Sequence, residues 1–334
     1  MSQLRPGLEE LALAAGKVLI YGNGGGGDVV QGLPVANHLE RLGVEVILGG
    51  VSGAWMTDDG HVPTDPATIL LGAEIFDVAE LQDATVLHPN IAEVSATTTL
   101  RGRVTAEAAT VKLFNRRAIV IGLGNGVMAA RRDLAAFVRD EGIGLVVAVD
   151  VGSDTLFSGR EANPAKTAFA DFLSLGTLVG LPCPRIFGLG GYGCDGELLL
   201  EDLERNVATV MQAGGYLGAV GVTQQDVVHM DQVIEIFADP VGVLVPRAAQ
   251  GEFGWVQVAT NGPWGTPVRV TPLAAVTLFL DPDVIVEALC PIVAELAEAT
   301  TQREAEQLFE DRLGVVPETR LLAEAALRRQ SPVG

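Results

Sequence analysis

Short apolar runs alternate along this chain with amphipathic stretches of helical length, the pattern of a largely parallel sheet wrapped by helices. The run at 18–21 predicts a first strand, 28–42 a helix ending at Gly43, and 44–48 a second strand. Together they form a β-α-β unit of about thirty residues, the usual size. Residues 50–66, "GVSGAWMTDDGHVPTDP", are irregular and predict a functional flap or insertion. A short strand at 85–88 and a helix at 104–114 follow. A second unit runs from "AIVIGLGNG" (118–126) through a helix at 127–141 to the strand "LVVAVDVG" (145–152). A third comprises "RIFGLGGYG" (185–193), a helix at 197–213 and a strand at 217–222. "GWVQVAT-NGPWG-TPVRVT" predicts an antiparallel hairpin turning at Asn261–Gly262. Helices at 283–298, 301–313 and 317–329 close the pattern. The expected architecture is α/β and Rossmann-like, with helices on both faces of a mostly parallel sheet. It is read as one domain: a core over about 15–282 and a helical C-terminal elaboration over about 283–330.

In such a sheet the strand-to-helix turns lie at the carboxyl ends of the strands, where ligands bind. Three of these turns are glycine-rich: Gly22–Gly27, Gly122–Gly126 and Gly188–Gly193. Freed backbone amides and helix N-termini there predict a basin for an anionic group, with Gly24, Gly25, Gly26, Gly27, Gly124, Asn125, Gly190 and Gly191 as candidate ligand-binding positions. Tight packing alone also calls for glycine in such turns.

Acids add a second signal on the same predicted edge: Asp28, Asp150, Asp154, Asp195 and Glu197. Carboxylates that close together do not all stay ionised without a cation or donors. Asp28, Asp150 and Asp154 are therefore candidate ligands for a divalent ion, Mg²⁺ or Ca²⁺, and Asp150 and Asp154 candidate catalytic groups. Hydrogen bonding to sugar hydroxyls is the open alternative, and Asp28, Asp195 and Glu197 are equally plausible helix caps. Asp150 resists that bland reading, because it ends an otherwise apolar strand. His88, at a strand end, is a further candidate acid or base, and Arg160 a candidate cation for an anionic substrate. Cys194 beside Asp195 is a conceivable nucleophile, and Trp55 or Tyr192 could stack on a base or sugar.

Glycine spacing at 22, 24 and 27 matches a dinucleotide fingerprint, but the second strand ends "VILGGVSG" with no acid for the ribose, and Asp28 would oppose a pyrophosphate. NAD(P) is thus a weakly supported cofactor. The absence of a G-K-[ST] turn and of G-x-S-x-G argues against a P-loop NTPase and a serine hydrolase.

Of 334 residues 48% are apolar and 40 are glycine, and the formal net charge is −20. Such a surface gains nothing from a phosphate backbone, so no nucleic-acid partner is expected. Three widely spaced cysteines, Cys183, Cys194 and Cys290, suit neither a disulfide framework nor a cysteine zinc site. No apolar run approaches the roughly 20 residues of a membrane span, and the N-terminal stretch has acids inside its apolar run, so a cytoplasmic protein is expected.

The blocks "GNGGGGDVVQGLPVANHLERLG", "LGGVSGAW", "AVDVGSDTLFSGRE" and "GLGGYGCDGEL", which span most of 17–270, resemble the archaeal and bacterial family catalogued as domain of unknown function number 1152. The resemblance implies an α/β fold that shares these glycine and aspartate turns, and brings no activity with it. Two departures from the family pattern, "MTDDG" after Trp55 and Ser153 where glycine is commoner, imply a substrate flap that differs from that of relatives. The expectation from the residues is a metal-assisted hydrolase or group transferase for a small phosphorylated or nucleoside-like metabolite. The alternatives are an NAD(P)-dependent oxidoreductase and a non-catalytic nucleotide or metabolite sensor that self-associates through its C-terminal helices.

Overall fold

A computed structural model describes residues 5–56, 72–237, 241–257 and 267–321. Helix α1 (Leu8–Ala15) leads into β1 (Lys17–Gly22), α2 (Asp28–Arg41) and β2 (Glu45–Val51). A small ribbon of β3 (Gly53–Met56) and β4 (Gly72–Ile75) follows, then β5 (Leu81–His88), β6 (Ile91–Leu100), β7 (Arg103–Val104) and α3 (Ala106–Phe114). The chain returns through β8 (Ala118–Ile121), α4 (Val127–Asp140), β9 (Leu145–Val151), α5 (Ala168–Val179) and β10 (Arg185–Gly190). Next come α6 (Leu200–Gln212), β11 (Tyr216–Gly221), α7 (Gln224–Ile234), α8 (Leu244–Ala249) and a second ribbon, β12 (Gly254–Gln257) with β13 (Pro267–Val270). Strand β14 (Val276–Leu280) and helices α9 (Pro282–Ala288), α10 (Ile292–Leu296) and α11 (Gln302–Leu313) complete it.

The central sheet has the order β11-β14-β10-β9-β1-β2-β8-β6-β5, with β7 paired to β6. Strands β10, β9, β1, β2 and β8 are mutually parallel, while β14, β6 and β5 run antiparallel to their neighbours. This is the Rossmann-like α/β arrangement. Its parallel strands read as continuous apolar runs because both faces are covered. In β1, Leu19 and Tyr21 enter the core beneath α4, α5, α6 and the C-terminal helices, while Val18 and Ile20 enter the core beneath α1, α2, α3 and α7.

Several elements depart from expectation. Strands β4, β6, β7 and β14 and helices α1, α5, α7 and α8 are additions. Helix α5, "AFADFLSLGTLV", is buried almost all round and so lacks the polar stripe by which a helix is recognised. The helix expected at 283–298 is two, α9 and α10, interrupted before Pro291, which has no amide to continue the ladder. The helix expected from 197 begins at Leu200. The flap forms β3 at its start, and residues 57–66 lie outside the described residues. So do the turn at Asn261–Gly262, whose flanking strands pair as expected, and residues 322–329 of the last helix. Among the described residues no helix is long and apolar enough to cross a membrane. Helices α9 to α11 contribute Ile285, Val293, Leu296 and Phe309 to the core.

The glycines of β2 mark a close approach. A Cβ on Gly50 would lie 2.0 Å from Glu107 Oε1, so only glycine admits this carboxyl from the first turn of α3. Glu107 is buried, and burial pushes its carboxyl up to about 7 against the opposing effect of bonds from its own amide and from Thr105. The folded chain therefore holds a proton there that the unfolded chain releases above the ordinary glutamate range. The associated stability is complete at acid pH and is lost as pH rises through about 7. We expect Glu107→Gln to flatten this dependence. Between pH 5 and 8 the wild type should lose up to ~3 kcal/mol relative to the variant in urea unfolding. Parallel curves for the two proteins would refute the assignment.

Candidate functional site

The chain reverses its direction of travel across the sheet between β1 and β9. From β1 it proceeds outward to β2 and β8, then crosses back to β9 and on to β10. Such a reversal opens a crevice at the carboxyl ends of the strands. Here the turns after three adjacent strands are laced together. Asn23 N donates to Val149 O (2.8 Å), Gly152 N to Gly190 O (3.1 Å) and Gly193 N to Gly152 O (3.0 Å). The turn after β8 sits on the same edge three strands from β9, ~14 Å away at ordinary strand spacing. Its Asn125 is exposed and donates to Asn90 Oδ1, and Leu123 N donates to Ser52 Oγ. Gly124 and Asn125 thus border the crevice's far side.

Three buried carboxylates converge at the reversal. Asp28 from the start of α2, Asp150 from the end of β9 and Asp171 from the first turn of α5 each present an oxygen within 4.8 Å of the others. Asp171 replaces Asp154 in the trio expected from sequence. Both oxygens of Asp154 are engaged by the protein itself, Oδ1 by the Thr155 amide (3.0 Å) and Oδ2 by the Thr167 hydroxyl (2.9 Å). Asp171 Oδ1 accepts from Thr155 Oγ1 (3.0 Å) and Asn23 Nδ2 (3.3 Å). Two oxygen acceptors at this place are enclosed and have no hydrogen-bond partner among the described residues: Asp150 Oδ2 and Asn23 Oδ1.

Desolvation dominates the electrostatics. Burial, then the neighbouring Asp195, pushes Asp150 up to about 7. Burial and then Asp171, Asp150 and Asp195 hold Asp154 well above the usual carboxylate range, and burial with Asp150 and Glu318 does the same to Asp171. Asp195 is raised by burial despite bonds from the Ser153 amide (2.8 Å) and hydroxyl (2.8 Å). Glu197 rises to about 8 through burial and Asp195, with the Lys166 amide donating to its Oε2 (2.5 Å). Such a group of acids is satisfied either by protons or by a divalent cation, which oxygen ligands of this kind suit.

Three amides of the first glycine turn find partners within the protein. Gly24 N donates to Asp28 Oδ2 (2.6 Å), Gly26 N to Gly53 O (2.9 Å) and Asp28 N to Gly25 O (3.3 Å). These amides are consumed within the protein, and Asp28 occupies the place an anion would take. Glycine at 24 lets an acid close in, since a Cβ there would lie 2.6 Å from Asp171 Oδ1. Gly25 and Gly26 have φ of 93° and 59°, and the Trp55 indole lies against Gly26. On the β10 side, Gly190 and Gly191 receive the Gly152 and Cys194 amides.

His88 is not part of this site. It ends β5, the outermost strand, five strand steps or ~24 Å from β9, and its Nε2 lies 3.5 Å from Asp140 Oδ2. Arg160 is exposed, with its amide donating to Ser158 Oγ (3.3 Å) and Glu161 Oε2 (2.9 Å). Cys194 is buried in a small apolar cluster, and burial pushes its thiol up, which leaves no thiolate for attack. Sequence reasoning missed Asp171, Asn23, Thr155 and Glu318. The one available signal was a lone acid inside the apolar run "AFADFLSL".

The model of the family described as "Protein of unknown function (DUF1152)" matches residues 19–326. The chain belongs to this family. No curated protein matches it. The matched span includes every acid of the crevice and extends through Glu318.

Close packing of Asp171 on Gly24 generates a stability prediction. Gly24→Ala should lose ~1–3 kcal/mol in urea unfolding, because the added methyl displaces the Asp171 oxygen that accepts from Thr155 and Asn23. Gly124→Ala, where among the described residues a Cβ would meet Ile75 Cγ2 at 3.7 Å and nothing nearer, should stay within about 1 kcal/mol of wild type. Equal effects at the two positions would contradict the packing account.

Proposed function

We propose that this chain is a divalent-metal-dependent enzyme, a hydrolase or group transferase for a small phosphorylated or nucleoside-like metabolite in the cytoplasm. The observation that carries the reading is the convergence of Asp28, Asp150 and Asp171 within 4.8 Å, with Asp150 Oδ2 enclosed and unpartnered. A set of hard oxygen donors drawn from three elements fits Mg²⁺ or Ca²⁺. A cation held there would polarise a phosphoryl oxygen or acidify a bound water.

The chain's own groups do the rest. Asn23 and Thr155 orient Asp171 by donating to it, and the Gly24 amide orients Asp28. Glu197, half-buried and raised to about 8, holds a proton near neutral pH and can pass it to or from a reacting group at the rim. Because amides of the first glycine turn are spent internally, an anionic substrate is drawn to the cation rather than to that turn. The same fact weighs against a dinucleotide, whose pyrophosphate would need those amides and would face Asp28. The sensor alternative draws no support from α9 to α11, whose apolar residues are occupied in the core.

Thermal unfolding with Mg²⁺, Mn²⁺ and Ca²⁺ tests the reading. A cation at 100 times its dissociation constant should stabilise the wild type by ~2.7 kcal/mol. Asp150→Asn and Asp171→Asn should abolish that gain while raising stability without metal, since each removes a buried like charge. Turnover of a panel of phosphorylated metabolites should require the cation and vanish in Asp150→Asn. Absence of stabilisation at millimolar cation, or unchanged binding in both variants, would overturn the metal site.

A further inference from the structure

Helix α5, which carries Asp171, begins without a cap of its own. Its N-cap residue Thr167 has the hydroxyl that ordinarily accepts a first-turn amide, yet that hydroxyl donates to Asp154 Oδ2 and no side-chain cap bond forms. The Phe169 and Ala170 amides donate instead to Glu318 Oε2 (3.3 Å) and Oε1 (2.8 Å), from a residue nearly 150 positions away in sequence. Glu318 is fully buried. Its segment is itself tied to α11: Thr319 Oγ1 donates to Glu306 Oε1 (2.7 Å) and Arg320 pairs with Glu310. Phe309 of the same helix packs edge-on against Phe169 (5.4 Å) and Phe172 (5.9 Å), the residues that bracket Asp171.

We propose that Glu318 is a positioning residue for the metal site, fixing the first turn of α5 so that Asp171 reaches Asp28 and Asp150. This rests on the metal reading above. The two amides that Glu318 holds immediately precede Asp171, so their bonds set both the rotation and the axial height of the turn that presents its carboxylate. A neighbouring side chain could not replace them, because the local cap is committed to Asp154. The C-terminal elaboration thereby acts on the crevice through α5. Residues that orient a ligand in this way typically change metal affinity 10–100-fold when altered.

The test uses the full chain and Mn²⁺ as probe, with affinity read by electron paramagnetic resonance well below the melting temperature. Glu318→Ala should bind Mn²⁺ at least ~10-fold more weakly than wild type. Glu318→Gln keeps the length and one acceptor oxygen, enough for one of the two amides, so it should bind Mn²⁺ more tightly than Glu318→Ala and more weakly than wild type. A lowered melting temperature with unchanged affinity in Glu318→Ala would reduce Glu318 to a helix cap and overturn the proposal. Should Glu318→Ala fail to fold, Glu318→Asp takes its place: a carboxylate one methylene short should weaken Mn²⁺ relative to Glu318→Gln, and equal affinities would overturn it. A wild type that binds no Mn²⁺ would instead strike the metal reading itself, and the proposal with it.

Discussion

Crowding of carboxylates at the junction of β1 and β9 is the constraint around which the rest is arranged. Two ionised oxygens 4.8 Å apart repel by ~3 kcal/mol even at the effective dielectric of a protein site, and desolvation adds to that. Asp195 raises both Asp154 and Glu197 beside the trio, and Glu197 raises Asp154 in turn. A fold that only needed stability would place apolar side chains here, because unpaired buried charge is among the most expensive features a core can hold. The donors gathered around the acids are distributed unevenly. Asp154, Asp171 and Asp195 each receive hydroxyl or amide bonds, whereas Asp150 Oδ2 receives none. Within the central trio, Asp28 and Asp171 are held by donors and one oxygen of Asp150 is left open among the described residues.

Glycine serves this crowding. At Gly24 and Gly53 backbone and carboxylate approach at distances a Cβ would forbid, and at Gly152 the Asp195 carboxyl sits where a side chain would be. Positive φ at Gly25 and Gly152 turns the chain within the few residues available between strand and helix. The fingerprint spacing of the first turn therefore has a cause other than phosphate recognition. The same residues that would cradle an anion are here closed onto Asp28.

Much of the fold was legible in the sequence, because the parallel strands and amphipathic helices α2 and α4 carry periodicities that follow directly from which faces are buried. Asp28 and Asp150 were legible for a related reason: each breaks an apolar or glycine pattern at a strand or helix boundary. Asp171 was hidden because α5 is buried on all sides and shows no polar stripe to set its period. Glu318 was hidden because its partners are backbone amides some 148 positions away, and a capping bond between distant elements leaves no local signature. His88 misled for the converse reason. A histidine at a strand end looks catalytic only if that strand lies near the others, and pairing of β5 at the outer edge is a property of the whole sheet.

The choice between an anion basin and a cation site turns on where the first turn's amides point. A phosphate site at a helix N-terminus draws its strength from unpaired N–H groups aimed at the ligand. Here the Gly24, Gly26 and Asp28 amides end on oxygens of the protein, and the nearest side chains facing the space are acids. A phosphate entering alone would meet negative charge with those amides already spent, so its binding requires a positive group between it and the acids. The formal net charge is −20, and Arg160 is exposed. On the proposed reading, a divalent cation would reverse the sign of the local field and use the lone pairs that Asp150 Oδ2 leaves open among the described residues. Electrostatics would then put cation binding before that of an anionic substrate, each dependent on acids that α2, β9 and α5 deliver to one point.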